Sequence, residues 1–157
     1  MANPEHVRIA REGAEAISKY RSANPNVRID LSGADLTDAD LVNAYLSGAD
    51  LVNANLSATD LTDADFTSGN LTNANLTDAN LSDADLRYAV LVSSTLDGAD
   101  VFQTEFGWST LADVDLTDVS NLHGASHDGG TDVSVDTLVT TLRGDQWRFH
   151  RRTTDFP

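Results

Sequence analysis

The chain has 157 residues, no cysteine and a formal net charge of −15, from 25 acidic and ten basic residues. That composition excludes a disulfide framework, a thiol nucleophile and a thiolate metal site, and it disfavours direct binding of nucleic acid, whose phosphates need basic partners. Nothing approaches the roughly 18 uninterrupted apolar residues of a membrane span, and the amino terminus has no apolar stretch suited to a signal peptide, so we expect one soluble, cytoplasmic domain away from the membrane.

Residues 1–28 read as a helical cap. Asn3 is an N-cap residue, Pro4 stands at the first helical position, and Glu5 places an acid in the first turn. Val7, Ala10, Ala14 and Ile17 then form an apolar stripe, which predicts one helix over residues 4–21. Asn24-Pro25-Asn26 ends it, and Val27 and Ile29 lead into the next region.

Residues 29–123 are dominated by a period of five. The large apolar residues are Leu31, Leu36, Leu41, Leu46, Leu51, Leu56, Leu61, Phe66, Leu71, Leu76, Leu81, Leu86, Leu91, Leu96, Val101, Phe106, Leu111 and Leu116, without a slip. The residue two places earlier is small, usually alanine, with Thr59, Gly69, Ser94, Thr104, Ser109 and Val114 as departures. Residues five apart face opposite sides of a flat strand and are rotated by roughly 140° on a helix, so neither element can bury this whole column. A chain that turns a corner once per pentad can bury it, as an all-β solenoid whose coils pair through their backbones and whose core is the Leu column.

Segments such as Ala34-Asp35-Leu36-Thr37-Asp38, Ala49-Asp50-Leu51-Val52-Asn53 and Ala74-Asn75-Leu76-Thr77-Asp78 resemble the A(D/N)LXX unit of the pentapeptide-repeat family. The resemblance implies a right-handed quadrilateral β-helix with four pentads per coil, hence about four and a half coils here and a twenty-residue offset between stacked positions. The Asn3-Pro4-Glu5-His6 opening is also similar to that of many bacterial members.

Residues 124–157 are expected to form a loop around His127-Asp128-Gly129-Gly130, then a short helix with Ser134 as its cap, Leu138, Val139 and Leu142 on one face and Gly144 as its stop. The remaining tail, Gln146-Trp147-Arg148-Phe149-His150-Arg151-Arg152, is aromatic and basic.

Charge is unevenly placed. Residues 29–123 hold sixteen Asp and one Glu against Arg87 alone, whereas residues 1–28 are mildly basic. With the twenty-residue offset, eleven acids fall on two neighbouring walls: Asp35, Asp38, Asp78, Asp97, Asp115 and Asp118 on one, and Asp40, Asp60, Asp63, Asp83 and Asp100 on the next. Such walls suit a basic groove on a protein partner. They are equally explained by carboxylates that bond nearby backbone at the corners and keep the rod soluble.

The same offset places Tyr88 and Trp108 one above the other on the outside, with Val90, Val92 and Ala112 beside them, and Phe102 below Leu122 on another wall. Outward apolar patches mean contact, here either with the carboxyl-terminal tail through Trp147, Phe149 or Phe156 or with another chain. Catalytic signatures are lacking: the carboxylates lie on open walls rather than in a cleft that would shift their pKa values, and no nucleotide-binding, metalloprotease or nucleophile-elbow motif occurs. His123, His127 and Asp128 have a metal-compatible spacing, but the surrounding glycines argue for a loop, so no metal or cofactor is expected. Asn-X-Ser/Thr sequons such as Asn70-Leu71-Thr72 are by-products of the repeat.

The leading reading is therefore a non-catalytic interaction module that presents an acidic rod and an apolar corner to an unidentified protein partner, or to itself as a homodimer through that corner or the carboxyl-terminal segment. A second reading comes from the resemblance: some family members are DNA-mimicking regulators that bind DNA gyrase or another type II topoisomerase. A third is a repeat module of a larger signalling protein, suggested by residues 130–138.

Overall fold

The computed structural model describes residues 1–126 and 132–133. The expected helix at residues 135–143 and the basic, aromatic tail, including Trp147, Phe149 and Phe156, lie outside the described residues, as do His127 and Asp128.

The repeat builds a four-sided solenoid. Isolated parallel bridges join Asp30 to Asp50, Asp35 to Asn55, Asp40 to Asp60 and Tyr45 to Asp65, and the same offset of twenty continues to Asp100 and Ser120. Between coils the Leu31 N–H donates to the Asp50 carbonyl at 2.7 Å and the Asp50 N–H to the Ile29 carbonyl at 2.8 Å. This pair of bonds recurs along each wall and gives buried backbone groups the partners they require. Regular strands are nevertheless few, only β1 (Thr110–Leu111) and β2 (Asp132–Val133) among the described residues, which pair in parallel. A side five residues long spends most of its length turning, so the ladder is interrupted at every corner.

Each corner is a tight turn closed by the small residue. Ala34 N–H donates to the Leu31 carbonyl at 2.9 Å, Ala54 to Leu51 at 2.9 Å and Ala74 to Leu71 at 3.0 Å. The third residue of the turn is left-handed, with φ of 55–60° at positions such as Asp38, Asn43, Asp63, Asn73 and Asp83. Glycine, asparagine and aspartate tolerate that conformation best, which is why they recur there. Where the small position is Thr or Ser, its buried hydroxyl donates to a carbonyl: Thr59 to Leu36 at 2.8 Å, Thr104 to Leu81 at 2.7 Å, and Ser109 to Phe106 at 2.7 Å.

All eighteen residues of the large apolar column are buried, none more than 3% exposed. Ala39 is the small residue that stays only partly covered.

The amino terminus departs from the single helix expected over residues 4–21. It forms α1 (Pro4–Arg11) and α2 (Ala14–Ala23), separated at Gly13, whose φ of 94° is incompatible with a continuous helix. Asn3 caps α1 by accepting from the Glu5 N–H at 2.9 Å. The break changes the buried face. His6, Ile9, Ala10 and Ile17 are buried, while Val7 and Ala14 of the expected stripe are only partly covered.

These helices supply donors and acceptors to the first coil, which has no preceding coil to pair with. The Asp30 N–H donates to His6 Nδ1 at 2.9 Å, and the Asn3 N–H donates to the Asp30 carbonyl at 3.2 Å. Arg11 donates twice to the Asp35 carbonyl, Arg21 to the Ser47 carbonyl and Arg28 to the Gly48 carbonyl. The basicity of residues 1–28 thus serves an exposed β edge, which would otherwise invite pairing with another chain.

At the other end the register slips. Glu105 bridges Ser126, an offset of 21, and β1 meets β2 at 22. Asn121 stands where the core column would require an apolar residue. It adopts φ 59° at the start of a 3-10 turn, Leu122–Gly124, and Leu122 packs against the core one residue late.

Leu71→Ala is expected to lower the unfolding free energy by about 2–5 kcal/mol through the cavity it leaves. Ala74→Leu should cost about 1–3 kcal/mol by overfilling the corner. Chemical denaturation of the two variants against the wild type measures both.

Candidate functional site

The carboxylates of the walls are engaged locally. Where the residue before a core position is Asp, its carboxylate accepts from the N–H two places on, as from Ser32 to Asp30, Thr62 to Asp60, Thr67 to Asp65, and Phe102 to Asp100. Where that second residue is Ser or Thr, its hydroxyl often donates to the same oxygen, as from Thr37 to Asp35 at 2.7 Å. Asparagine does the same work at Asn55, Asn75 and Asn80, and the Asn75 amide also donates to Asn55 Oδ1 on the coil before at 3.0 Å. The other acids of the two walls, such as Asp38, Asp63, Asp78 and Asp83, occupy left-handed turn positions. Asp97 and Asp118 are exposed turn residues on the Leu36 wall.

Hydrogen bonding to these carboxylates shifts them. The Ser32 hydroxyl and N–H lower the pKa of Asp30, those of Thr37 lower Asp35, and those of Thr117 lower Asp115. Burial pushes Asp85 up, but Arg87, which donates to both of its oxygens, outweighs that and holds it low. Arg87 also reaches Glu105 at 3.2 Å, so the basic residue of the repeat neutralises part of one wall.

Among the described residues no group of three or more His, Cys, Asp or Glu could hold a metal ion, and no helix is long and apolar enough to cross a membrane. An open groove of about 610 Å³ lies where α1 meets the first coil, lined by Met1, Ala2, Val7, Gly33, Val52 and others, with Asp35 as its titratable side chain. It brings no acid–base pair together.

The aromatic corner differs from the other corners. Tyr88 and Trp108 stack with ring centroids 5.3 Å apart and planes 7° from parallel, and the two residues are 52% and 50% exposed. Both are left-handed, at φ 60° and 57°. For a bulky residue that conformation costs roughly 1–2 kcal/mol, whereas one aromatic pair returns about 0.5–1.5 kcal/mol. The two equivalent positions on earlier coils hold Gly48 and Ser68, and Ala58 and Gln103 show that other residues can be forced into the same φ. None of those presents a ring to solvent.

Val90, Val92 and Ala112 flank the pair and are partly covered. Beside it on the preceding side runs the column Asp65, Asp85 and Glu105, joined by successive bridges. Phe102, 43% exposed, sits apart from this corner: a Cβ at Gly124 would approach its ring to 3.2 Å, so the 3-10 turn, rather than Leu122 alone, lies against it.

A further aromatic went unread in the sequence. Tyr45, 48% exposed, heads the column that continues with Asp65 and Asp85, and the Arg21 guanidinium lies 4.7 Å from its ring centroid. Tyr20 and His6 pack edge to face at 5.2 Å, with His6 Nε2 and the Tyr20 hydroxyl 3.0 Å apart. Neither arrangement has a signal in the repeat.

The family model for pentapeptide repeats matches residues 29–67 and 70–103, in eight copies. Among solved structures, the chain is similar to a pentapeptide repeat protein from the Arabidopsis thaliana thylakoid lumen. The identity is 28%, over 73% of this chain and 85% of that one, with a TM-score of 0.60. A pentapeptide repeat protein from the cyanobacterium Cyanothece 51142 aligns with the same TM-score, 0.60, at 23% identity over 74% and 97% of the two chains. HetL, a pentapeptide repeat protein involved in heterocyst differentiation regulation from Nostoc sp. strain PCC 7120, is 31% identical over 68% of this chain and 56% of its own, with a TM-score of 0.44. No protein of curated function matches the chain. The first two likenesses imply a right-handed quadrilateral β-helix.

The lowered pKa of Asp30 makes its contribution to stability pH-dependent. The contribution is complete above the ordinary value of 3.8 and is lost as the pH falls through the depressed folded value. Asp30→Asn keeps the turn acceptor without the charge. The wild type should be the more stable at pH 7, and the gap in unfolding midpoint should close as the pH is taken below that ordinary value. A gap that stays constant with pH would contradict this assignment.

Proposed function

We propose that this chain, which belongs to the pentapeptide-repeat family through residues 29–67 and 70–103, is a non-catalytic interaction module that docks a protein partner on its Tyr88–Trp108 corner. One observation carries the reading. Two large aromatic residues adopt a backbone conformation that favours glycine or asparagine, and half of each remains in water. Folding alone would be served as well by the Gly48 or Ser68 of the same corner. Strain retained at an exposed, apolar position is what a binding surface requires, because exposed Trp and Tyr are the side chains that anchor interfaces. Val90, Val92 and Ala112 widen the apolar strip on one side, and the acidic column provides a charged rim on the other.

The acidic walls support this reading less directly. Their carboxylates hold the corner turns, and asparagine replaces them at several equivalent positions, so their number follows from the turn chemistry before any partner is invoked.

Asn at positions 88 and 108 tolerates the left-handed φ while removing the rings, so Tyr88→Asn combined with Trp108→Asn should leave stability within about 1 kcal/mol of the wild type, strain relief offsetting lost stacking. Affinity capture from native lysate of the source cells should then lose a partner that the wild-type chain retains; an identical set of captured proteins removes the corner as the docking site. The same preparation should leave gyrase supercoiling unchanged at micromolar protein, since the proposed surface is aromatic; inhibition would favour DNA mimicry.

A further inference from the structure

The aromatic stack runs along the axis of the solenoid and ends at Tyr88. Tyr88 and Trp108 lie on successive coils, and their centroid separation of 5.3 Å, with planes 7° from parallel, is close to the spacing between coils. The face of Tyr88 turned away from Trp108 therefore looks toward the preceding coil. There the same position is held by Ser68, which is exposed and donates its backbone N–H to the Arg87 carbonyl, and one coil earlier by Gly48. Neither carries a ring, so the level of Ser68 leaves a place for one more planar group on the stack.

The charge beside that place is negative. The column of Asp65, Asp85 and Glu105 runs alongside it through successive bridges. Arg87 pairs with Asp85 and Glu105. Asp65, on the coil of Ser68, is half-buried, accepts from the Thr67 N–H at 2.9 Å and has no cationic partner among the described residues. A planar cation at the Ser68 level would meet a ring face and this carboxylate together. Guanidinium satisfies both, because it is flat, delocalised and able to bond a carboxylate at its edge. An ammonium group meets the charge but not the plane, and an apolar ring meets the plane but not the charge.

The same wall already holds one arginine in this way. Tyr45 stands in the column one coil before Asp65, and the Arg21 guanidinium lies 4.7 Å from its ring centroid while donating to the Ser47 carbonyl. Tyr88 has Trp108 on one face and, among the described residues, no guanidinium on the other.

We propose that the protein partner docks through an arginine side chain whose guanidinium stacks on Tyr88 at the level of Ser68 and pairs with Asp65. The proposal rests on reading the corner as the docking surface, and it adds the chemistry of the group received there. The partner segment is basic, which the net charge of −15 attracts at long range.

The test titrates the full chain at low ionic strength with two synthetic peptides of equal charge, one alternating glycine with arginine and the other glycine with lysine, and follows the Trp108 indole N–H by NMR. The arginine peptide should bind the wild type about threefold or more tighter than the lysine peptide. Tyr88→Asn combined with Trp108→Asn, read by calorimetry, should bring the two peptides to equal affinity. Asp65→Asn keeps the turn acceptor, as Asn55 and Asn75 do, and should weaken the arginine peptide about twofold or more. Asp60→Asn makes the same charge change on another wall, where Asn80 already occupies the equivalent place, and should have a smaller effect. Circular dichroism should be unchanged in every variant. Equal affinity of the two peptides for the wild type, an arginine preference that survives loss of the rings, or equal effects of Asp65→Asn and Asp60→Asn overturns the proposal. Failure here is distinct from failure of the docking surface: a captured partner lost with the rings, beside peptides that bind equally, would keep the corner and reject arginine as the group it receives.

Discussion

The corner turn is the element on which the rest of this molecule depends. Once in five residues the chain rounds a corner of the four-sided coil through a turn closed by the small residue's N–H on the core residue's carbonyl, as from Ala74 to Leu71. That bond sends each core side chain inward and leaves one residue per pentad left-handed. Four such turns bring the backbone back above itself with an offset of twenty, so that inter-coil hydrogen bonds and stacked leucines form together. Removing the turns would leave neither ladder nor core.

Much of the chemistry of the surface is a consequence of that turn. Carboxylate or amide oxygens before the core residue accept the N–H two places later, and short polar residues fill the left-handed site. A strongly acidic rod results without a charged ligand being needed to explain it. The amino-terminal basic residues are likewise absorbed by the structure, as arginines that satisfy carbonyls on the first coil. What remains unexplained by folding is the pair of aromatic rings at a conformation that suits them poorly. That residue of strain is why the proposed function is placed at Tyr88 and Trp108 rather than along the acidic walls.

The core column and the stacking of Tyr88 on Trp108 were legible because both follow from periodicity: five gives the buried residues, and twenty, supplied by the family resemblance, gives the neighbours. The two-helix start was not legible, since Gly13 interrupts an apolar pattern that reads as continuous from Val7 to Ile17. The partnership of His6 with the Asp30 N–H, and of Arg21 with Tyr45, joins residues 24 apart across different elements and leaves no trace in local composition. The slip at Asn121 was visible as a missing apolar residue, but its resolution by a 3-10 turn that seats Leu122 depends on the shape of the coil beneath.

The sequence by itself determined the solenoid, its core and the chemical character of its corners, because each repeats and each is enforced within a few residues by sterics and hydrogen bonding. Tertiary structure alone decided how the open edge of the first coil is satisfied, how the turn after Asn121 seats Leu122, and which groups meet the rings of Tyr45 and Phe102. Those outcomes arise from groups far apart in the chain that meet only after the coils have stacked, so no local pattern encodes them.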